Sequence, residues 1–414
     1  MPSTMKIAVI GAGPAGLVSL KYALDEAYEC DVFEQTGTLG GTWVYTDKIH
    51  IDENGIPIHS SMYKGMRTNL PKEVMYFLDF PYPDTKIKSY LGQREVLEYF
   101  NHYAEFFNLQ KHIKYFKRVM HVEPLNNQKW ALTVKDVKSG LEEVYEYNAV
   151  FVCNGHYSSP RIPILPGHNL YKGIQIHSHD YRTPEPYLNK RVLVIGAGSS
   201  GKDIAIKIAE SAKQVFLSHR YDTKITYRTN LTSKPEVTKL YYNEVTFEDN
   251  TKEEIDAVLY CTGYTFTYPF LSEACGISVE DNWVRPLYKH IVNINHPTMF
   301  FIGVPFLVPT IPVCDIQVRF ALAELKKKFL PKRVIMLKEL EDYVEDRKLK
   351  NIPRRHYHKI GDANLQNYFL ELSKVAGVRP VPAVISKLYA RARMNRNLED
   401  CFKIIDEETF IQLN

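Results

Sequence analysis

The sequence predicts an α/β protein made of two Rossmann-like dinucleotide-binding domains, the second inserted into the first. Three observations carry this. Lys6 to Gly16 reads KIAVIGAGPAG, an apolar, β-branched strand running into Gly11-Ala12-Gly13-Pro14-Ala15-Gly16. The same grammar returns 185 residues later as RVLVIGAGSSG, Arg191 to Gly201. The copies then part ways at the end of the next strand, which closes on Glu34 in the first and on Ser218-His219-Arg220 in the second.

Each G-x-G-x-x-G turn has a physical job. The first glycine permits the tight turn, the second lets a pyrophosphate approach the backbone, and the third lets the following helix pack on the strand. Helix N–H groups and the helix dipole stabilise the anion. Leu17, Leu20, Ala23 and Leu24 mark the first helix, and Cys30 to Phe33 the strand after it. Glu34, 23 residues past Gly11 and followed by Gln35, stands where a carboxylate accepts from ribose hydroxyls. In the second copy Ile204, Ala205, Ile208 and Ala209 mark the helix, and Gln214 to Leu217 the strand. A carboxylate at its end would repel a ribose 2′-phosphate, whereas Ser218, His219 and Arg220 would bind it. The expected ligands are a 2′-hydroxyl dinucleotide at Gly11, Gly13, Pro14, Ala15 and Gly16, and a 2′-phosphate dinucleotide at Gly196, Gly198, Ser199, Ser200 and Gly201. The plainer alternative for Ser218 and Arg220 is an ordinary solvated strand end.

Between and beyond these copies the pattern is less regular. Gly40 and Gly41 would let backbone approach a ligand, with Trp43 as a flat wall. Met66 to Lys72 is a polar turn before the apolar run Val74 to Phe80. Val96, Leu97, Phe100, Tyr103 and Phe107 recur at helical spacing within Tyr90 to Phe107. Arg118 to Val122, Trp130 to Lys135 and Glu143 to Tyr147 read as a small antiparallel element. Ala149 to Val152 is an apolar strand ending in the glycine turn Cys153 to Tyr157. Residues 158–189, rich in Pro and Gly, read as a linker. Tyr241 to Phe247 and Ile255 to Leu259 are strands, the latter running into Cys261-Thr262-Gly263-Tyr264. Thr298 to Ile302 is a strand returning to the first domain. Asp315 to Phe329 is a helix with a basic end, and helical pieces broken by Pro follow. The expected division is residues 1–185 and 288–414 for the first domain, 186–287 for the second.

Composition narrows the partners. With 45% hydrophobic and 24% charged residues and a net charge of +4, nothing points to nucleic acid. No apolar run reaches the roughly 20 residues that span a bilayer. Only five residues precede the first strand, so a cytoplasmic protein without a secretion signal is expected. Six scattered cysteines form no C-x-x-C pair. His177-Ser178-His179 and His356-Tyr357-His358 lack a second ligand group at recognisable spacing, so no metal is expected.

Further motifs narrow the family. Tyr171 to Tyr181, YKGIQIHSHDY, resembles the F-x-G-x-x-x-H-x-x-x-[YFW] identifier of class B flavoprotein monooxygenases, with Tyr171 for Phe. No Trp-Pro follows His177 at the spacing of the Baeyer–Villiger branch. Gly40-Gly41-Thr42-Trp43, Thr68-Asn69, Gly155-His156-Tyr157 and Cys261-Thr262-Gly263-Tyr264 resemble the flavin-containing monooxygenase branch, where the last usually reads A-T-G-Y. Asp315-Ile316-Gln317 stands where that branch usually has E-x-Q. The resemblance runs from about residue 5 to about 380 and is nearest to insect members, which include pyrrolizidine-alkaloid N-oxygenases.

The resemblance implies that FAD occupies the first domain and NADPH the inserted one. It implies that NADPH reduces FAD, that O₂ is captured as a flavin C4a-hydroperoxide, and that one oxygen passes to a soft nucleophile, a tertiary-amine alkaloid or a sulfide. It places Gly41, Thr42, Trp43, Thr68, Val119 and Gln317 along the FAD. Asn69 would stand at the flavin–nicotinamide junction as the catalytic residue, and Thr262, Gly263 and Tyr264 beside NADP. Members commonly self-associate. An uncoupled NADPH oxidase and a non-catalytic flavoprotein are the competing readings.

Overall fold

The structure, a computed structural model, describes residues 5–83, 88–220, 228–394 and 396–414. The chain divides into two compact units, Met1–Val44, Met66–His156 and Phe266–Asn414 in the first, Tyr45–Gly65 and Tyr157–Thr265 in the second.

The first unit is built on a seven-stranded sheet, in the order Leu287–Tyr288, Val292–Asn293, Met299–Phe301, Ala149–Val152, Lys6–Ile10, Glu29–Phe33, Ile113–Lys114. The five strands from Met299–Phe301 onward pair in parallel, and the two before them pair antiparallel. Parallel strands are covered on both faces, hence the unbroken apolar runs. Alternation along Lys6–Ile10 sorts its side chains between the two covers. Ile7 and Val9 join one core with Leu17 and Leu20 of the helix Pro14–Asp25 and Ile316 and Phe320 of the helix Thr310–Lys327. Ala8 and Ile10 join the other core, with Val119, Trp130 and Leu132 of the antiparallel sheet Lys117–Pro124, Trp130–Asp136, Glu142–Tyr147. Asp315 is fully buried, ion-paired to Arg319 at 2.5 Å, and accepts from the Tyr22 hydroxyl at 2.8 Å, which joins the two helices.

Helix Thr310–Lys327 starts five residues before the expected Asp315, because Pro312 falls in the first turn, where no N–H is needed. The helix expected over Tyr90 to Phe107 is Gln93–Phe106, begun by the Gly92 N–H donating to Glu95 at 2.9 Å. Helices Arg333–Leu349, Asp362–Ala376 and Ala383–Met394 follow, and the chain closes in a hairpin, Phe402–Ile404 with Phe410–Gln412, that the pattern of helical pieces did not suggest. No helix among the described residues is long and apolar enough to cross a membrane.

The second unit holds a five-stranded, all-parallel sheet in the order Leu231–Lys234, Gln214–Ser218, Arg191–Ile195, Ala257–Tyr260, Ile174–His177. The last of these lies in the stretch read as a linker. It is an edge strand with Ile174 and Gln175 exposed, so it lacks the apolar signature of its neighbours. Its pairing with Ala257–Tyr260 puts residues 157–185 in this unit, and Phe266 and Phe270, buried with Ile10 and Val150, put residues 266–287 in the first. The single strand expected over Tyr241 to Phe247 is a hairpin, Val237–Tyr241 and Glu244–Phe247, turning at Tyr242 with φ +45°. Tyr45–Gly65 is fastened to this unit by the buried Arg182 guanidinium, which donates to the carbonyls of Lys48 at 3.0 Å and Ser60 at 3.4 Å. Tyr63 donates to Asp203 at 2.5 Å, and Lys207 to the Gly65 carbonyl at 3.0 Å.

Three imidazoles of the first unit are shielded from water, His358 buried and His156 and His290 half-buried. His358 Nε2 accepts from the Val284 N–H at 2.9 Å, so its Nδ1 carries the proton and donates to His290 Nδ1, also at 2.9 Å. Burial pushes His290 down to about 3 and His156 to about 4, and holds His358 well below its usual value. In the unfolded chain each would protonate near 6.5. The unfolded state therefore binds more protons at mildly acid pH, and these groups' contribution, complete above pH 6.5, is lost as pH falls toward 4. Glu73 and Asp315, raised by burial, act in the opposite sense. Replacing one histidine isolates its share. In urea titrations near pH 5.5, His290→Asn should reduce the slope of stability against pH by about one proton, or ~1.4 kcal/mol per pH unit.

Candidate functional site

The two glycine turns are built alike. Gly11 and Gly196 both hold φ +103°, and an added Cβ would lie 2.7 Å from the Cys153 carbonyl oxygen in the first and 2.5 Å from that of Cys261 in the second. At the third glycine the clash is worse, 1.9 Å from Gly16 to the Gly11 oxygen and 1.8 Å from Gly201 to the Gly196 oxygen. Helices Pro14–Asp25 and Ser199–Ile208 begin behind Gly13 and Gly198, and no side chain caps either. Their first N–H groups point into the turn, which is the arrangement that binds a pyrophosphate.

The middle glycines differ. Gly13 faces Gly41, whose added Cβ would lie 3.0 Å from the Gly13 Cα, and the Gly40 N–H donates to the Ala12 carbonyl at 2.9 Å. The segment Gly40 to Trp43 thus closes over the first turn. Glu34 is buried at the end of its strand. It accepts from the Ala12 N–H at 3.0 Å and from the Thr36 N–H and hydroxyl, both at 2.8 Å. That uses three of a carboxylate's roughly four acceptor positions and leaves one for a ribose hydroxyl. Gly198 by contrast faces open space, with Ser199 and Ser200 exposed beside it. Both cradles fit a dinucleotide phosphate, the first half-enclosed and the second open.

Three parallel strands of the first unit end in glycine turns at one sheet edge: Gly11, Gly155 at φ +71°, and Gly303 at φ +84°. Gly303 was not among the expected residues. The signal was present, since TMFFI runs into Ile302-Gly303 just as AVFV runs into Cys153-Asn154-Gly155. The Gly303 N–H donates to Gln317 Oε1 at 2.8 Å, and Gln317 Nε2 donates to the Tyr368 hydroxyl at 2.8 Å. Gln317, expected along the FAD, is fully buried with both ends of its amide used, and it holds the Gly303 turn. Thr68 also turns inward. It is 2% exposed, its N–H donates to the Leu91 carbonyl at 2.8 Å, and its hydroxyl accepts from the Leu91 N–H at 3.1 Å. Its neighbour Asn69 is exposed. Val119 has its side chain in the core with Ile10 and Phe33, leaving only backbone for a ligand. Trp43 is half-buried edge-on to Phe100, its carbonyl accepting from Gln93, while Gln35 and Thr42 are half-buried.

In the second unit Ser218 departs from expectation. It is 1% exposed and gives its proton to the Pro235 carbonyl at 2.8 Å, so it ties two chain segments and has no donor left for a phosphate. His219 Nε2 lies 2.7 Å from the Ser233 hydroxyl, and Arg220, exposed, pairs with Glu236 at 2.5 Å. Thr262 donates to the Arg161 carbonyl, and Gly263, at φ +81°, faces open space. Tyr264 has the rings of His177, Tyr157 and His179 around it at 5.1, 5.5 and 5.8 Å. His177 Nδ1 accepts from the His179 N–H at 3.0 Å, and burial pushes the ring down to about 4, so it stays neutral. All six cysteines are free, and burial raises Cys153 and Cys261 to about 12, so neither is a thiolate at neutral pH.

The family model described as "Flavin-binding monooxygenase-like" matches residues 4–235 and 225–398. The chain belongs to this family. It is 33% identical to senecionine N-oxygenase of Tyria jacobaeae over 94% of this chain and 86% of that one. It is 35% identical to flavin-containing monooxygenase FMO GS-OX3 of Arabidopsis thaliana over 86% of this chain and 81% of that one. The solved structure of S-allyl-L-cysteine S-oxygenase from Allium sativum superposes with a TM-score of 0.88, at 33% identity, covering 95% of this chain and 94% of that one. This flavin monooxygenase is therefore an enzyme with FAD and NADPH as cofactors.

The first cradle makes one requirement sharp. Gly16→Ala would drive its Cβ into the Gly11 carbonyl, opening the turn or lifting the helix. The purified variant should lose most of its 450 nm flavin absorbance and melt lower than the parent. A flavin content equal to the parent's would contradict the geometry.

Proposed function

We propose that this flavin monooxygenase transfers one oxygen atom to a soft nucleophile, with a tertiary-amine alkaloid as its substrate. The observation that carries the reading is the match to senecionine N-oxygenase along 94% of the chain. A sulfide is the second reading, favoured by the likeness to S-allyl-L-cysteine S-oxygenase.

When bound, the flavin supplies the redox chemistry, taking electrons from NADPH and activating O₂. The chain's own residues bind and orient. Gly11, Gly13, Pro14, Ala15 and Gly16 would hold the FAD pyrophosphate, Glu34 and Gln35 its ribose, and Val119 would touch the FAD through its backbone. Gly41, Thr42 and Trp43 would flank the flavin and keep water from it. Thr68 and Gln317 would act through the turns they hold. Asn69, exposed next to the buried Thr68, would present its amide to the reacting atoms. An amide donates a hydrogen bond without giving up a proton, so it holds an oxygen in place without promoting its loss as peroxide. Gly196, Gly198, Ser199, Ser200 and Gly201 would bind the NADP pyrophosphate, Arg220 with His219 the 2′-phosphate, and Thr262, Gly263 and Tyr264 the nearer end of the ligand.

The purified protein should be yellow and should bleach with NADPH under nitrogen. In air, oxygen uptake screened over tertiary-amine alkaloids and sulfides, with product masses, should show a gain of one oxygen on an alkaloid nitrogen. Gain on sulfur alone would select the sulfide reading, and peroxide as the sole product would reject both.

The second cradle yields a separate expectation. Arg220→Ala should weaken NADPH binding by roughly 1.5–3 kcal/mol, the range for hydrogen bonds to charged groups, and leave NADH binding unchanged. Gly198→Ala, which meets no protein atom within 4 Å, should fold and keep FAD yet weaken both nucleotides. Equal loss of NADH and NADPH affinity in Arg220→Ala would remove the 2′-phosphate role.

A further inference from the structure

We propose that Arg67 and Ser89 are positioning residues for Asn69, fastening its turn to the C-terminal segment, so that the end of the chain governs how efficiently oxygen reaches substrate. This rests on the reading of Asn69 given above.

Residues 66–72 run antiparallel beside residues 89–93. The Gln93 N–H donates to the Met66 carbonyl at 3.2 Å, the Thr68 N–H to that of Leu91 at 2.8 Å, and the Lys72 N–H to that of Ser89 at 2.7 Å. Asn69, Leu70 and Pro71 form the bend between the last two rungs. Each flank of that bend is tied to a different point of the C-terminal segment. On one side Arg67 Nη2 donates to the Leu398 carbonyl at 2.7 Å and Nη1 pairs with Glu399 at 2.8 Å. On the other, Ser89 is 1% exposed, and its hydroxyl accepts from the Phe402 N–H at 2.8 Å and donates to Glu73 at 3.0 Å. Glu73 is in turn paired with Lys72, both side chains being 9% exposed.

The Ser89 tie ends in the packed core. Phe402 is 2% exposed in the main core of the first unit and opens the closing hairpin. The hairpin is fixed to helix Ala383–Met394 by the Val384 N–H donating to the Glu407 carbonyl at 2.8 Å and by Lys387 paired with Glu408 at 2.7 Å. One tie would let a three-residue bend pivot, and two, on opposite flanks, fix its position and its tilt. A buried ion pair such as Lys72–Glu73 is a poor stabiliser, since a well-packed apolar pair often does as well. What the polar network adds is direction, as oxygen transfer requires of a catalytic amide.

The test uses the full-length, FAD-loaded protein with NADPH, following hydrogen peroxide released per NADPH consumed, first alone and then with N,N-dimethylaniline and with thioanisole. Asn69→Ala should raise peroxide release at least fivefold. Arg67→Ala and Ser89→Ala should do the same while keeping FAD content and the anaerobic rate of flavin reduction within twofold of the parent. Arg67→Lys should restore part of the coupling, which a merely structural defect would not predict. If Asn69→Ala uncouples and neither anchor variant does, the inference is overturned and the reading of Asn69 stands. If Asn69→Ala itself releases peroxide at the parental rate, that reading falls and this inference with it. Should the anchor variants lose FAD, Glu399→Ala decides. This side chain is 71% exposed, and its removal breaks the ion pair to Arg67 while leaving the bond to the Leu398 carbonyl, so raised peroxide supports the inference, and parental peroxide both here and in Arg67→Lys overturns it.

Discussion

The carbonyl oxygen of Gly11 lies 1.9 Å from where a side chain on Gly16 would begin, and much of the first unit follows from that contact. Helix Pro14–Asp25 can reach the strand so closely only because Gly16 has no Cβ. The same approach aims its first N–H groups at the mouth of the turn. It also brings Tyr22, two turns on, to Asp315, joining the helix to Thr310–Lys327. The second unit repeats the contact at 1.8 Å between Gly201 and Gly196. One steric rule thus sets two cradles, and what surrounds them makes them different. Gly40, Gly41 and Glu34 close over the first, which suits a resident cofactor. The second stays open at Gly198, which suits a ligand that must come and go.

Polar residues near the first cradle mostly hold backbone. Gln317 grips the Gly303 turn, Thr68 grips Leu91, and Ser218 does the same service in the second unit by donating to Pro235. A side chain with all its hydrogen bonds made inside the protein has a single low-energy pose, so the turns it supports are fixed before any ligand arrives. Preorganisation of this kind removes part of the ordering cost of binding.

The glycine turns were legible because their constraints are local, a positive φ and a close approach within six residues. Glu34 was legible because its distance from Gly11 is set by one helix and one strand. The inward turn of Gln317 was not, since its partners Gly303 and Tyr368 lie 14 and 51 residues away. A polar residue in a familiar position reads as a ligand contact until its partners are known. Strand Ile174–His177 was hidden because an edge strand needs little apolar alternation, and with it went the allocation of residues 157–185. The closing hairpin was missed because its strands are three residues each, too short to carry a period that composition could mark.

The buried imidazoles and thiols of the described interior do not titrate near neutrality. His156, His177, His290 and His358 are all held neutral by burial, and the thiols of Cys153, Cys261 and Cys314 are held protonated well above neutral pH. Buried tyrosines such as Tyr103 and Tyr368 are pushed further from ionisation by the same desolvation. An enzyme that works by general acid–base catalysis keeps a group poised near neutrality, shifted toward it by its surroundings. Here burial drives each of these groups away from neutrality. Such an interior suits an enzyme whose redox chemistry a bound flavin supplies. In the proposed reading the chain holds, excludes water and withholds acid, and an uncharged amide at Asn69 would serve all three.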